Sequence, residues 1–228
     1  MCDLLKNALF CACYIFATHV FSQRLFRKHD ETTVWFGMHI LVNLVVSWFA
    51  FPSLVRTLRG DARIATVHSM GNDQTPVILA LLLHVYHSIV FRLSNDDLLH
   101  HILFVLVMGT PSLIYTNDAV NATLFSISGI PGAIIYSVII VRRLGYKRIS
   151  EPHVSVLVNV LIRLPLVIWV NTSYLSCAPP RPPMTVVISQ VILSTSNALG
   201  YSVQAIVRAR RESQKNKTSS QVIEKQYV

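Results

Sequence analysis

Seven long apolar blocks, divided by short polar stretches, constrain this chain more than any other feature of its sequence. The hydrocarbon core of a bilayer, about 30 Å thick, takes roughly 20 apolar residues per helix. No backbone polar group in that core can be left to water, so blocks of this kind fold as helices. They run approximately over 5–22, 34–55, 76–93, 98–116, 119–141, 153–175 and 184–207. The expected fold is therefore all-α: a polytopic membrane helix bundle of about seven transmembrane helices over 1–207, then a polar cytoplasmic tail over 208–228 expected to be disordered.

Composition agrees with that class. Of the residues 52% are apolar and 14% charged, whereas soluble domains average roughly 45–50% and 25%, which argues against a soluble enzyme. The net charge of +9 comes from cations that flank the apolar blocks and do not interleave with aromatics on a polar face. The surplus is thus read as membrane orientation, with no nucleic-acid partner. Cys2, Cys11, Cys13 and Cys177 show neither a paired CxxC spacing nor the density of a disulfide scaffold, so they are read as unbridged. The stretch from Met1 to Phe16 lacks a clear small-x-small cleavage site and is read as part of a retained first helix.

Cationic loops stay in the cytoplasm. Counted as far as Lys217, placing the tail inside puts thirteen Lys and Arg on that side: Arg24, Arg27, Lys28, Arg92, Arg142, Arg143, Lys147, Arg148, Arg208, Arg210, Arg211, Lys215 and Lys217. Five fall outside: Lys6, Arg56, Arg59, Arg63 and Arg181. Within this topology the run from Arg56 to Arg63 sits on the wrong side of the rule. Two Asn-x-Ser/Thr sequons, at Asn121 and Asn171, fall at the outer ends of the fifth and sixth segments, where a glycan has an acceptor sequence.

The chemistry concentrates in the third and fourth segments. They meet at Ser94-Asn95-Asp96-Asp97, a turn rich in helix-capping residues, so they are expected to form an antiparallel hairpin. His84 and His87 share one helix face, and His100 and His101 open the partner helix. At 1.5 Å per residue His87 lies roughly 9 Å and His101 roughly 5 Å from the hairpin end, so their side chains are in reach of one another. Asp96 and Asp97 precede the paired histidines by four residues each, a spacing that lets a carboxylate orient an imidazole. Helix capping is the plainer role for both aspartates, and packing against a backbone acceptor the plainer role for any single histidine. Four histidines at membrane depth are costly, which favours a cavity or a partner. Spacing alone leaves one zinc on three of the four open, whereas a di-iron centre lacks its third histidine box; no metal is assigned.

The run Leu83-His84-Val85-Tyr86-His87, followed by Asp96-Asp97-Leu98-Leu99-His100-His101-Ile102-Leu103, resembles the core of the TLC-domain membrane proteins, the TRAM, Lag and CLN-type family. Ser128-Gly129-Ile130-Pro131-Gly132 and the tryptophan-led second segment, Trp35 to Trp48 with Ser47, fit loosely, and the TLC-like core covers about 30–210. Further histidines and acids of the ceramide-synthase signature are missing, so His100-His101 match only its first pair. The resemblance implies a protein that handles or modifies lipids. In its enzymatic form this is a ceramide-synthase-like acyltransferase with a histidine general base, drawn from His87, His100 and His101 with Asp96 and Asp97 orienting them. His84, Tyr86 and Arg163 are then expected at the substrate, with acyl-CoA as co-substrate and no resident cofactor. Membrane lipids and a second copy of the chain are the partners that fit, and an endomembrane, the endoplasmic reticulum before the plasma membrane, is the setting.

Arg163 lies about ten residues into the sixth segment with no carboxylate at its depth, so it is expected to face the bundle interior and to meet either an anion or carbonyls freed by Pro165. Gly129, Pro131 and Gly132 are expected to break the fifth segment, and Gln190, Ser194, Thr195, Ser196 and Asn197 either to join helices through the seventh or to line the same cavity. A second reading is a non-enzymatic seven-helix receptor or transporter, or a lipid-binding structural membrane protein. Against it, the last segment has no Schiff-base lysine, and D/E-R-Y and N-P-x-x-Y patterns are absent. The topology predicts that protease added outside sealed cytoplasmic-side-out vesicles removes a C-terminal tag; a protected tag overturns the orientation.

Overall fold

The structure, a computed structural model, describes residues 2–61, 73–146, 148–176 and 182–226; for Cys2, Asp3, Asp96, Asp97 and 216–226 it describes the backbone alone. Among the described residues every regular element is a helix. There are seven: α1 (Cys2–Leu25), α2 (Glu31–Arg59), α3 (Thr75–Val90), α4 (95–114), α5 (Asp118–Arg143), α6 (Glu151–Ser176) and α7 (Met184–Gln226). Five of them, α1, α2, α5, α6 and α7, are long and apolar enough to cross a membrane, while α3 and α4 are shorter apolar helices. The protein is an all-α helix bundle, and its apolar helices are those of a multi-pass membrane protein.

Helix α2 stands at the centre, packed against α1, α3, α5 and α6, and α7 closes the far side against α4, α5 and α6. Its ends follow from local chemistry. Asp30 accepts from the Thr33 backbone N–H at 2.9 Å and from the Thr33 hydroxyl at 2.6 Å, which serves donors that the first turn leaves unpaired. Gly60 ends the helix at φ 80°, where its N–H reaches back to the Arg56 and Thr57 carbonyls. The core face of α2 carries Trp35, Met38, Val42 and Val46, which meet Val77, Leu79 and Leu83 of α3.

α5 comes close enough to α2 to exclude side chains. A Cβ on Gly129 would stand 2.6 Å from Ser47 Oγ, and one on Gly132 would stand 2.6 Å from Asn43 Nδ2. The break expected in this segment is present as a turn at Ser128 between two helical stretches. Two further irregularities are π-helical runs, Leu103–Gly109 in α4 and Leu157–Arg163 in α6. Each ends two residues before a proline, Pro111 and Pro165, which has no N–H to give the regular ladder. The wider i→i+5 bonds are visible where the Thr110 N–H reaches Val105 O and the Leu164 N–H reaches Asn159 O.

At the end of α2 remote from Asp30, Arg56 grips the fully buried Asp118. Its Nε donates to Oδ2 at 2.8 Å and its Nη2 to Oδ1 at 2.6 Å, while the Ser53 hydroxyl donates to Oδ1 at 2.8 Å. This bidentate pair explains why Arg56 can stand on the side that the cation count disfavours: its charge is matched within the bundle. Arg63 and Arg181 lie outside the described residues.

The sequon asparagines are buried and engaged, Asn121 donating to Asp73 O at 2.9 Å, and Asn171 donating to Ser194 Oγ and Thr195 Oγ1, both at 2.9 Å. An amide held between helices is no glycan acceptor. The stretch 208–226, expected to be disordered, continues α7 as helix to Gln226. Its Arg, Gln, Lys and Glu are good helix formers, and its first turns are tied to α5 and α6 through Arg142–Glu212 and Arg208–Glu151 pairs.

Arg56→Met leaves a buried carboxylate without its cation and is expected to cost about 3 kcal/mol. Thermal unfolding in detergent should show a lower midpoint, and adding Asp118→Asn should restore part of it. An unchanged midpoint in the single variant overturns the assignment.

Candidate functional site

The hairpin of α3 and α4 forms as its short connection requires, and it turns one histidine face inward. His84, His87, His100 and His101 all line an internal cavity of about 290 Å³. The other walls come from Trp35, His39 and Asn43 on α2, Ser128, Gly132 and Tyr136 on α5, Asn159 and Arg163 on α6, and Asn197, Tyr201 and Arg208 on α7. Six of the seven helices thus contribute, and along α7 the lining runs from Asn197 to Arg208.

Hydrogen bonds among the histidines have a direction that elementary chemistry assigns. The Ser88 hydroxyl donates its single proton to the His84 carbonyl at 2.9 Å, because a carbonyl only accepts. The 2.9 Å contact between Ser88 Oγ and His101 Nδ1 therefore has the ring N–H as donor. Nε2 of neutral His101 is then the acceptor, and His87 Nδ1–H donates to it across 3.3 Å. In this tautomer Nε2 of His87 carries the basic lone pair. His84 is held separately, its Nδ1–H donating to the Ala80 carbonyl at 2.7 Å.

Ring packing fixes the same groups in place. The His87 imidazole stacks on Trp35 with centroids 3.5 Å apart and planes 22° apart. His39 stacks on Tyr136 at 4.5 Å and meets Trp35 edge-on at 3.8 Å. His84 stacks on Phe104 at 4.1 Å, and its centroid is 5.0 Å from that of His101.

Arg163 is 4% exposed. Its Nη1 donates to Asn159 Oδ1 at 2.5 Å, the guanidinium carbon lies 5.2 Å from the Tyr201 ring centroid, and its buried Nε has no partner among the described residues. The sequence expectation that Arg163 faces the bundle interior describes this position; the group it bonds is the Asn159 amide one turn earlier, not a carbonyl freed by Pro165. Among the described residues no Asp or Glu lines the cavity.

The structure thus brings together His84, His87, His100, His101 and Arg163. Tyr86 it places elsewhere: the phenol points to α1 and bonds His19 Nδ1 at 3.0 Å. The Asp96 and Asp97 side chains lie outside the described residues; among the described residues Ser88 Oγ lies 2.9 Å from His101 Nδ1. Among the described residues no three His, Cys, Asp or Glu converge as ligands for a metal ion. Sequence reasoning missed Trp35, His39, Asn43, Ser88, Tyr136, Asn159 and Tyr201. A signal for three of them existed, since Trp35, His39 and Asn43 recur every fourth residue on an otherwise apolar helix, an aromatic and polar stripe facing one way.

With this geometry in hand, comparison of the chain with protein-family models, with curated proteins and with solved structures gives no match.

Ser88→Ala removes the acceptor that selects the Nδ1–H form of His101. Nitrogen-15 NMR of histidine-labelled protein should then show a changed ratio of the two neutral tautomers, together with a stability loss of about 1 kcal/mol. An unchanged imidazole spectrum overturns the assigned bond direction.

Proposed function

We propose that this chain is a multi-pass membrane protein that modifies lipids inside its own bundle, by acyl transfer with His87 as general base. The observation that carries the reading is the directed chain from His87 through His101 to Ser88, opening on a cavity that also holds Arg163. A base is effective when a second group holds it in one tautomer and supports the charge it gains. Here His101 holds His87, and the Trp35 face stacked on the ring at 3.5 Å stabilises the imidazolium that forms.

In the reaction, a lipid hydroxyl or amine gives its proton to His87 Nε2 as its oxygen or nitrogen bonds to the carbonyl carbon of an acyl thioester. The carbon–sulfur bond then breaks, and the leaving sulfur takes the proton from His87. No net proton is consumed. Arginines at the tail-side end, Arg208, Arg210 and Arg211 among them, suit the acidic carrier of such a thioester. The outside of the bundle suits a lipid environment, since Trp48 is 79% and Ile89 77% exposed. An endomembrane setting follows the TLC-like resemblance.

His87→Ala and His101→Ala, each compared with wild type in the same cells, should alter the cellular lipid profile while the purified variants still unfold cooperatively. A wild-type lipid profile in both folded variants sinks the acyl-transfer reading.

A further inference from the structure

Beside the polar cavity lies a second space of about 320 Å³ between α4 and α7. Its walls include Leu99, Leu103, Met108 and Leu193, and it shares His100, Phe104, Ile127 and Asn197 with the histidine cavity. Leu99 and Leu103 are themselves exposed on the bundle surface. An apolar groove that reaches the surface of the bundle and adjoins a polar chamber holding one buried cation is the shape of an amphiphile site.

We propose that this double space binds a long-chain carboxylate, its head on Arg163 and its chain in the groove between α4 and α7. The guanidinium is constrained on one side by the bond from Nη1 to Asn159 and on its face by Tyr201, so the Nε–Nη2 edge remains for an acceptor. That edge presents two parallel N–H groups, which match the two oxygens of a carboxylate. Charge sets the valence. Arg208 is matched by Glu151 at 3.4 Å and no carboxylate lines the cavity among the described residues, so Arg163 asks for one negative charge. A phosphate monoester brings about −1.5 to −2 and would leave excess charge in a medium that penalises it. This deepens the lipid-handling reading and rests on it only in that the occupant arrives from the bilayer; it needs no histidine chemistry.

The test uses the full chain in a nonionic detergent and the fluorescent C18 acid cis-parinaric acid. Saturable binding is expected, displaced by oleate but not, at equal concentration, by oleyl alcohol or oleoyl lysophosphatidate. Arg163→Gln should weaken it about tenfold or more. Ser196→Phe, which fills the groove from an exposed position, should weaken oleate while leaving competition by octanoate in place. Equal displacement by oleyl alcohol, or unchanged affinity in folded Arg163→Gln, overturns the proposal. Equal displacement by the lysophosphatidate overturns the carboxylate assignment. If Arg163→Gln does not fold, Arg163→Lys is measured, which keeps the charge but not the fork; wild-type affinity there also overturns it. Saturable binding with a wild-type lipid profile in both His87→Ala and His101→Ala sinks the acyl-transfer reading alone, and the reverse pair of results sinks the carboxylate site alone.

Discussion

A polar group shielded from water must find its partner inside the protein, and the arrangement of this bundle follows from meeting that requirement helix by helix. Asp118 is fully buried because Arg56 and Ser53 reach it from α2. Asn171 joins α6 to α7 through Ser194 and Thr195. At the other end Arg143 closes on Asp30, the cap of α2, at 2.7 Å. These contacts pin α2 to α5 at both ends and α6 to α7, and the space between them is lined by Arg163 and the histidine faces of α3 and α4.

That space borders the places where regular helix fails. The turn at Ser128, the π-helical run holding Phe104 and the π-helical run holding Asn159 and Arg163 all lie on the cavity wall. Non-helical backbone at membrane depth is tolerated where it lines a cavity, and wide helical turns recur at functional sites. Here the causes are local and covalent: Pro111 and Pro165 remove N–H donors, and the missing side chains of Gly129 and Gly132 let α5 settle onto Ser47 and Asn43.

What the sequence makes legible follows from how far each signal extends along the chain. Hydropathy marks all seven helices because a membrane span is a property of about 20 consecutive residues. The histidine hairpin is legible for a similar reason: its members sit within eighteen residues across one tight turn. The Arg56–Asp118 pair spans 62 residues, so nothing local announces it, and a count of cations by side does not foresee the carboxylate that matches Arg56. His39 and Tyr136 meet only once α5 is seated on α2, a contact set by two glycines whose effect is tertiary. Tyr86 shows the converse failure: adjacency to His87 in sequence turns its ring by about 100° around α3, towards α1 and His19. The 208–226 stretch was read from polarity alone, which does not separate a disordered tail from a helix anchored by Glu212.

The unequal lengths of the helices bear on the membrane itself. α3 has 16 residues, a rise of about 24 Å, against a hydrocarbon core of about 30 Å. On the other side α5 and α6, with 26 residues each, exceed that thickness with ease. A bundle long on one flank and short on the other compresses the lipids beside its short flank, and the hairpin of α3 and α4 is that flank. The deformation costs fractions of a kcal/mol per Å, so the chain is better matched to thin bilayers than to thick ones.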